Sequence, residues 1–138
     1  MDVRHHMTRH PVTVDPNDSL RKARLLMGQG GFRHLPVVEN RRVVGIVTDR
    51  DICERSPSGI IDGNNIERSD LMDHLRVMGI MTLRPLTVSP DTSVVDAAQL
   101  LRAKGLGALL VCESDELVGI ITKGDLLDAL VAAAATTP

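Results

Sequence analysis

The chain has 138 residues, of which 43% are hydrophobic and 1% aromatic, and its 16 basic and 18 acidic residues leave a net charge of −2. A disordered chain would carry fewer aliphatics and more net charge, and no apolar run approaches the roughly eighteen residues of a membrane span. The charge balance argues against duplex-DNA binding, and the lone aromatic, Phe32, argues against stacking platforms for single strands, so neither nucleic acid nor membrane is expected as a partner.

The segment Pro11–Val14 reads as extended, ended by Asp15-Pro16, whose proline keeps its predecessor out of the helical region. Ser19 suits an N-cap, Leu20, Ala23, Leu26 and Met27 recur at helical spacing, and Gly28, Gly30 and Gly31 are expected to stop the helix. Leu35–Val38 and Val43–Val47 are β-branched apolar runs joined across Glu39–Arg42, a hairpin-like pair of buried strands. A second helix is predicted from Thr48 to about Arg55, then a loop over Ser56–Asn65 and a helix over Ser69–Met78.

A shift of 74 residues aligns Val3–Ile52 with Val77–Leu126 without a gap and with 19 identities in 50 positions. The second copy therefore repeats the first: Leu86–Val88, Ser93–Lys104, Leu109–Cys112, Leu117–Ile121, then a helix from Thr122 onward, with Thr136–Pro138 expected to fray. The boundaries are 1–55 for the first unit, 56–76 for the linker and 77–138 for the second unit with its tail. Each unit is β-α-β-β-α, which places the chain in the α/β (α+β) class. Cys53 and Cys112 lack metal or redox spacing and read as two small core residues of a reduced, cytoplasmic protein. No charged-then-apolar leader precedes the first repeat, so no secretion signal is expected. His5, His6 and His10 cluster without an acid or Cys at ligand spacing and read as solvated or interface residues, not as a metal site.

Two motifs carry chemistry: Gly45-Ile46-Val47-Thr48-Asp49-Arg50-Asp51 and Gly119-Ile120-Ile121-Thr122-Lys123-Gly124-Asp125. Each carboxylate can accept both hydroxyls of a ribose, and each Thr sits at a strand-to-helix junction where free N–H groups meet phosphate or sugar oxygens. The same Thr-x-x-Asp spacing is equally a helix cap, and a duplicated cap would be duplicated too. Gly45 and Gly119 mark either a close backbone approach or a bulge.

With the Met-Thr-x-x-Pro starts at Met7 and Met81 and the run Arg33–Val38, these motifs resemble tandem cystathionine-β-synthase (CBS) domains, a Bateman module, over about residues 3–130. The resemblance implies two units packed sheet to sheet about a pseudo-twofold axis, leaving clefts for AMP, ADP, ATP or S-adenosylmethionine. It implies a regulatory module, not an enzyme, with no required cofactor, acting on a partner protein not identified by the sequence. By the family's geometry one cleft joins Ile120, Thr122 and Asp125 to Thr8, Val12, Phe32, Arg33 and His34. The other joins Ile46, Thr48 and Asp51 to Thr82, Leu86, Leu106, Gly107 and Ala108.

Arg33-His34 in the first copy stands against Gly107-Ala108 in the second, so the Asp125 cleft is the expected home of a phosphorylated adenosine. The Asp51 cleft must rely on Arg50 and its neighbours. Lys123 either reaches phosphate or sits exposed, and Arg33 either binds phosphate or is a solvated loop cation. The family commonly forms disc-like dimers. Residues 1–50 carry 9 basic and 5 acidic groups against 7 and 13 in 51–138, so a homodimer meeting head to tail would pair opposite fields. A ligand-free assembly module is the alternative function. A phosphate-transferring enzyme is disfavoured, because no Ser-His-Asp set, two-carboxylate metal site or Walker loop is visible.

Overall fold

The computed structural model describes residues 1–55 and 72–135, so the loop expected over Ser56–Asn65, most of the linker helix and the tail Thr136–Pro138 lie outside the described residues. The chain divides into two compact units, one from the middle of the sequence, Val12–Pro85 (the central unit), and one from its two ends, Met1–Pro11 with Leu86–Pro138 (the outer unit, both labels referring to sequence order alone). The leading segment of the chain thus belongs to the unit that holds the second set of strands and helices. Both units are built on the β-α-β-β-α repeat of a mixed α/β fold.

In the central unit, α1 (Leu20–Gly30) starts where the Ser19 hydroxyl accepts from the Lys22 N–H at 3.1 Å. A cap of this kind contributes about 1 kcal/mol. Gly28 and Gly30 do not stop the helix; it runs through both and ends at Gly31, whose φ of 69° turns the chain left-handed while its N–H bonds the Met27 carbonyl. The helix ends there because a left-handed C-cap costs glycine nothing and satisfies an orphan carbonyl.

Strands β2 (His34–Glu39) and β3 (Arg42–Thr48) form the expected antiparallel hairpin, closed by Asn40 and Arg41, both with positive φ. That backbone matches the right-handed twist of the strands it joins. Helix α2 (Asp49–Arg55) follows directly, and β4 (Thr82–Leu83) adds to the other edge of β3. The strand expected over Pro11–Val14 shrinks to a single parallel bridge, Val14 to Val37, because Val14 alone of that segment is both buried and bonded to the β2 backbone. The helix expected up to Met78 covers Met72–His74 of the described residues, after which Arg76 bridges Ser19 and Val77–Gly79 makes a 3-10 turn. Leu20, Ala23, Met27, Leu35, Val37, Val47, Ile52 and Val77 form the core beneath, and each large member contributes about 1.5–3 kcal/mol through burial.

The outer unit repeats the design with its own leading segment. Asp2 bridges Ser93, Val3 is fully buried and starts a 3-10 turn, and β1 (Thr8–Arg9) pairs antiparallel with β7 (Glu116–Thr122). Two-residue β5 (Thr87–Val88) runs parallel to β6 (Ala108–Glu113), which forms the hairpin with β7 across Ser114-Asp115. Helix α3 (Val94–Lys104) is capped by Ser93 and stopped by Gly105 at φ 65°, and α4 (Lys123–Ala135) closes the unit. The core is Val3, Ala97, Leu101, Leu109, Val111 and Ile121.

Candidate functional site

Each Thr-x-x-Asp motif lies where a central strand turns into a helix, and in each the two side chains cap that helix reciprocally. The Thr48 N–H donates to Asp51 Oδ2 at 3.0 Å and the Asp51 N–H donates to Thr48 Oγ1 at 2.9 Å. In the outer unit the Thr122 N–H donates to Asp125 Oδ2 at 2.9 Å, the Thr122 hydroxyl donates to the same oxygen at 3.1 Å, and the Asp125 N–H donates back to Thr122 Oγ1 at 3.3 Å. This is a capping box with Asp in the place of Glu. All of these bonds to Asp125 converge on Oδ2, so Oδ1 accepts none from the described residues.

The leading strands bring further residues up to these motifs. Thr8 stands opposite Ile120 on β7, and Thr82 stands opposite Ile46 on β3. These approaches explain the glycines. A Cβ on Gly45 would lie 2.8 Å from Met81 Sδ and 2.9 Å from the Thr82 carbonyl, and one on Gly119 would run into Met7 and come to 3.0 Å from the Thr8 carbonyl. A bulge follows each glycine contact as well, between Val37 and Val38 and between Val111 and Cys112, so both readings of the glycine hold.

The residues that distinguish the copies also fall at matching places. His34 pairs with Thr48 where Ala108 pairs with Thr122, and the Arg33 carbonyl accepts from Asp49 N–H where the Gly107 carbonyl accepts from Lys123 N–H, both at 3.1 Å. The Arg33 side chain is exposed and lies 4.0 Å from Asp49, a surface pair of little energetic weight. Asp49 is the residue the motif adds beside Asp51, and the sequence signal for it is the acidic run Asp49-Arg50-Asp51. Burial lowers the pKa of His34, against the opposing pull of Asp49 and Asp51. Arg50 is exposed and its guanidinium is held by Glu54 at 2.8 Å, which raises its pKa and commits it along α2. Lys123 is exposed at the start of α4.

The remaining candidates are less concentrated. Phe32 is half-buried, packs on the central core, and its ring covers Gly30. Val12 is 43% exposed in the central unit; Leu86 is 37% exposed in the outer unit, where its carbonyl accepts from Leu110 N–H. Leu106 packs against the outer core, and Ala108 is buried. Cys53 is exposed, contrary to its expected core place, because Ile52 takes the inward face of α2; Cys112 is half-buried, and burial raises its thiol pKa. Among the described residues no three His, Cys, Asp or Glu side chains come together to hold a metal, and no helix is long and apolar enough to cross a membrane.

The comparisons with known proteins agree with this geometry. The CBS domain family profile matches residues 2–58 and 77–132. A CBS domain-containing protein of Dictyostelium discoideum is 32% identical over 131 residues, which cover 94% of this chain and 90% of that protein. The inosine-5'-monophosphate dehydrogenase of Korarchaeum cryptofilum is 34% identical over 119 residues, and there the chain spans 22% of the enzyme's length. The CBS-pair protein CBSX2 of Arabidopsis thaliana superposes with a TM-score of 0.81 at 28% identity, covering 99% of this chain and 98% of that one. CBSX2 in complex with AMP gives 0.78 at 27% identity, covering 96% and 98%. Such segments therefore occur both as proteins of this length and inside enzymes. With two copies of the repeat, each ending in a reciprocally bonded Thr–Asp pair at a strand-to-helix junction, this chain is a tandem member of the CBS domain family.

Proposed function

We propose that the protein is a regulatory module that binds an adenosyl compound at its Thr-x-x-Asp motifs and thereby alters its affinity for a partner protein. The observation that carries this reading is the Thr122–Asp125 pair. Its bonds gather on one carboxylate oxygen, and the relative CBSX2 has been crystallised with AMP. A carboxylate held by its helix is preorganised to accept a ribose hydroxyl pair without reordering.

Thr8, Ile120, Thr122, Lys123 and Asp125 make up the outer set. Ile46, Thr48, Arg50, Asp51 and Thr82 make up the central one. The outer set is the one for a phosphorylated ligand such as AMP, ADP or ATP, since Lys123 stands in the first turn of α4 where Asp49 stands in α2. Within the central unit Arg33 and His34 are the candidates for phosphate, and Val12 and Phe32 there, with Leu86 in the outer unit, are the candidates for apolar contact with a flat base. The central set, with two acids in the first turn and Arg50 engaged by Glu54, suits a ligand without phosphate. Free thiols at Cys53 and Cys112 fit a cytoplasmic, reducing setting, and the protein acts as a homodimer.

Titration calorimetry of ligand-stripped protein with AMP, ADP, ATP and S-adenosylmethionine tests the reading. Heat from at least one of them, abolished by Asp125→Ala or Asp51→Ala, is the expected result. Silence from all four would leave the ligand-free assembly module as the better account.

A further inference from the structure

Gly28, Gly30 and Gly31 crowd the end of α1, although one glycine suffices to end the helix. In the second copy Arg102 and Lys104 stand 74 residues after Gly28 and Gly30, and α3 stops at Gly105 as α1 stops at Gly31. Glycine weakens a helix relative to alanine, so Gly28 and Gly30 call for another reason. For Gly30 the reason is Phe32, because a Cβ at Gly30 would run into the ring that lies over it. Gly28 has the opposite surroundings, with nothing within 4 Å of an added Cβ. That open space belongs to a recess of about 430 Å³ in the central unit, between α1, the turn that follows it and α2.

The floor of the recess is apolar: Met27 and Ile52, 6% and 2% exposed, with the half-buried Phe32. Its rim is charged, with Arg24 on α1, Arg33 after the turn and Asp49 on α2. The Arg24 guanidinium has no hydrogen bond or ion pair among the described residues, and Arg33 holds Asp49 only at 4.0 Å. The repeat shows that this rim is not a by-product of the fold. Met27 and Ile52 have apolar counterparts in Leu101 and Leu126, whereas Arg24, Arg33 and Asp49 stand where the outer unit has Ala98, Gly107 and Lys123. An apolar floor with a few convergent charges, kept open by a helix glycine, is the make-up of a small-molecule site.

We propose that this recess binds an organic carboxylate with an apolar body, its hydrocarbon on Met27, Phe32 and Ile52 and its carboxylate on Arg24 and Arg33. A guanidinium is a planar fork of donors matched to a carboxylate, and it stays charged at any working pH. Two arginines against one aspartate leave a single net positive charge on the rim, which a monoanion balances. A phosphate monoester carries close to two negative charges near neutral pH and would bring the second beside Asp49. The site goes beyond the nucleotide reading: it shares Phe32 and Arg33 with that reading and does not rest on it, since Arg24, Gly28 and Asp49 belong to the recess alone.

Methyl NMR of the full chain, titrated with phenylacetate, phenyl phosphate and benzyl alcohol, tests the site. Phenylacetate is expected to move the Met27 and Ile52 methyl signals and leave those of Leu101 and Leu126 in place, with phenyl phosphate at least several-fold weaker and the neutral alcohol silent. Arg24→Glu is expected to weaken phenylacetate about tenfold or more. Gly28→Leu, which fills the recess, is expected to abolish binding without lowering the melting temperature. Still signals at Met27 and Ile52, an equal response to benzyl alcohol, or undiminished binding by Arg24→Glu or Gly28→Leu would overturn the site. Tighter binding of phenyl phosphate than of phenylacetate would overturn the carboxylate assignment. Calorimetry of both variants with AMP keeps the two readings apart: AMP heat is expected to be unchanged in each, so loss of the carboxylate site leaves the nucleotide reading standing, and silence toward AMP leaves the recess standing.

Discussion

Thr122 and Asp125 hold each other across the first turn of α4: the Thr122 N–H and hydroxyl both donate to Asp125 Oδ2, and the Asp125 N–H donates back to Thr122 Oγ1. The cap and the proposed ribose site are therefore one pair of side chains, and the two roles separate by substitution. Asp125→Asn keeps an acceptor for the Thr122 N–H, so stability measured by urea unfolding should fall by well under the ~1 kcal/mol expected for Asp125→Ala. Both variants should lose AMP binding at the outer set, because an amide is a weaker acceptor for the two ribose hydroxyls than a carboxylate. Normal binding by Asp125→Ala would leave the motif a cap and nothing more.

Arg33 is exposed and loosely paired with Asp49, so it is free to exchange that partner for phosphate. Arg33→Ala is expected to weaken AMP about tenfold or more and leave adenosine unchanged in calorimetry, the cost of one charge-assisted contact. Equal loss for both ligands would point to a structural role.

The glycines divide sharply. Gly45→Ala would set a Cβ 2.9 Å from the Thr82 carbonyl, a backbone atom, and is expected to destabilise the protein by about 1–3 kcal/mol, with no full rescue from Met81→Ala. Gly28→Ala, in α1 with nothing within 4 Å of the new methyl, is expected to stabilise by up to about 1 kcal/mol. Thermal and urea unfolding of the two variants decide both signs.

His34 binds its proton less readily folded than unfolded, because burial outweighs the attraction of Asp49 and Asp51. The unfolded chain therefore takes up more protons as pH falls through about 6.5, and stability drops with it. The melting temperature should fall further between pH 7.5 and pH 5.5 in wild type than in His34→Gln. Equal slopes would remove His34 from the pH response.

What the sequence determined by itself is local or repeated. Ser19 and Ser93 cap helices, Gly31 and Gly105 stop them, and Thr-x-x-Asp caps the helix that follows each hairpin, because every one of these depends on residues within a few positions of one another. The 74-residue repeat likewise needed nothing beyond the chain. Only the tertiary structure decided where the leading segments go. Thr8 lies on Ile120 and Thr82 on Ile46, yet the target sequence Val-Gly-Ile is identical in both copies. Two-residue strands carry no periodicity, and equal partners offer local chemistry no preference between them. The choice is made by the buried Val3 and Val77 and by the bridges from Asp2 to Ser93 and from Arg76 to Ser19, which tie each leading segment to the helix cap of the unit it completes. The same holds for exposure: the apolar stripes of the helices are legible in the sequence, but that Leu20, Ala23 and Met27 of α1 are buried while Leu127 and Leu130 of α4 are exposed follows from packing, which no single helix encodes.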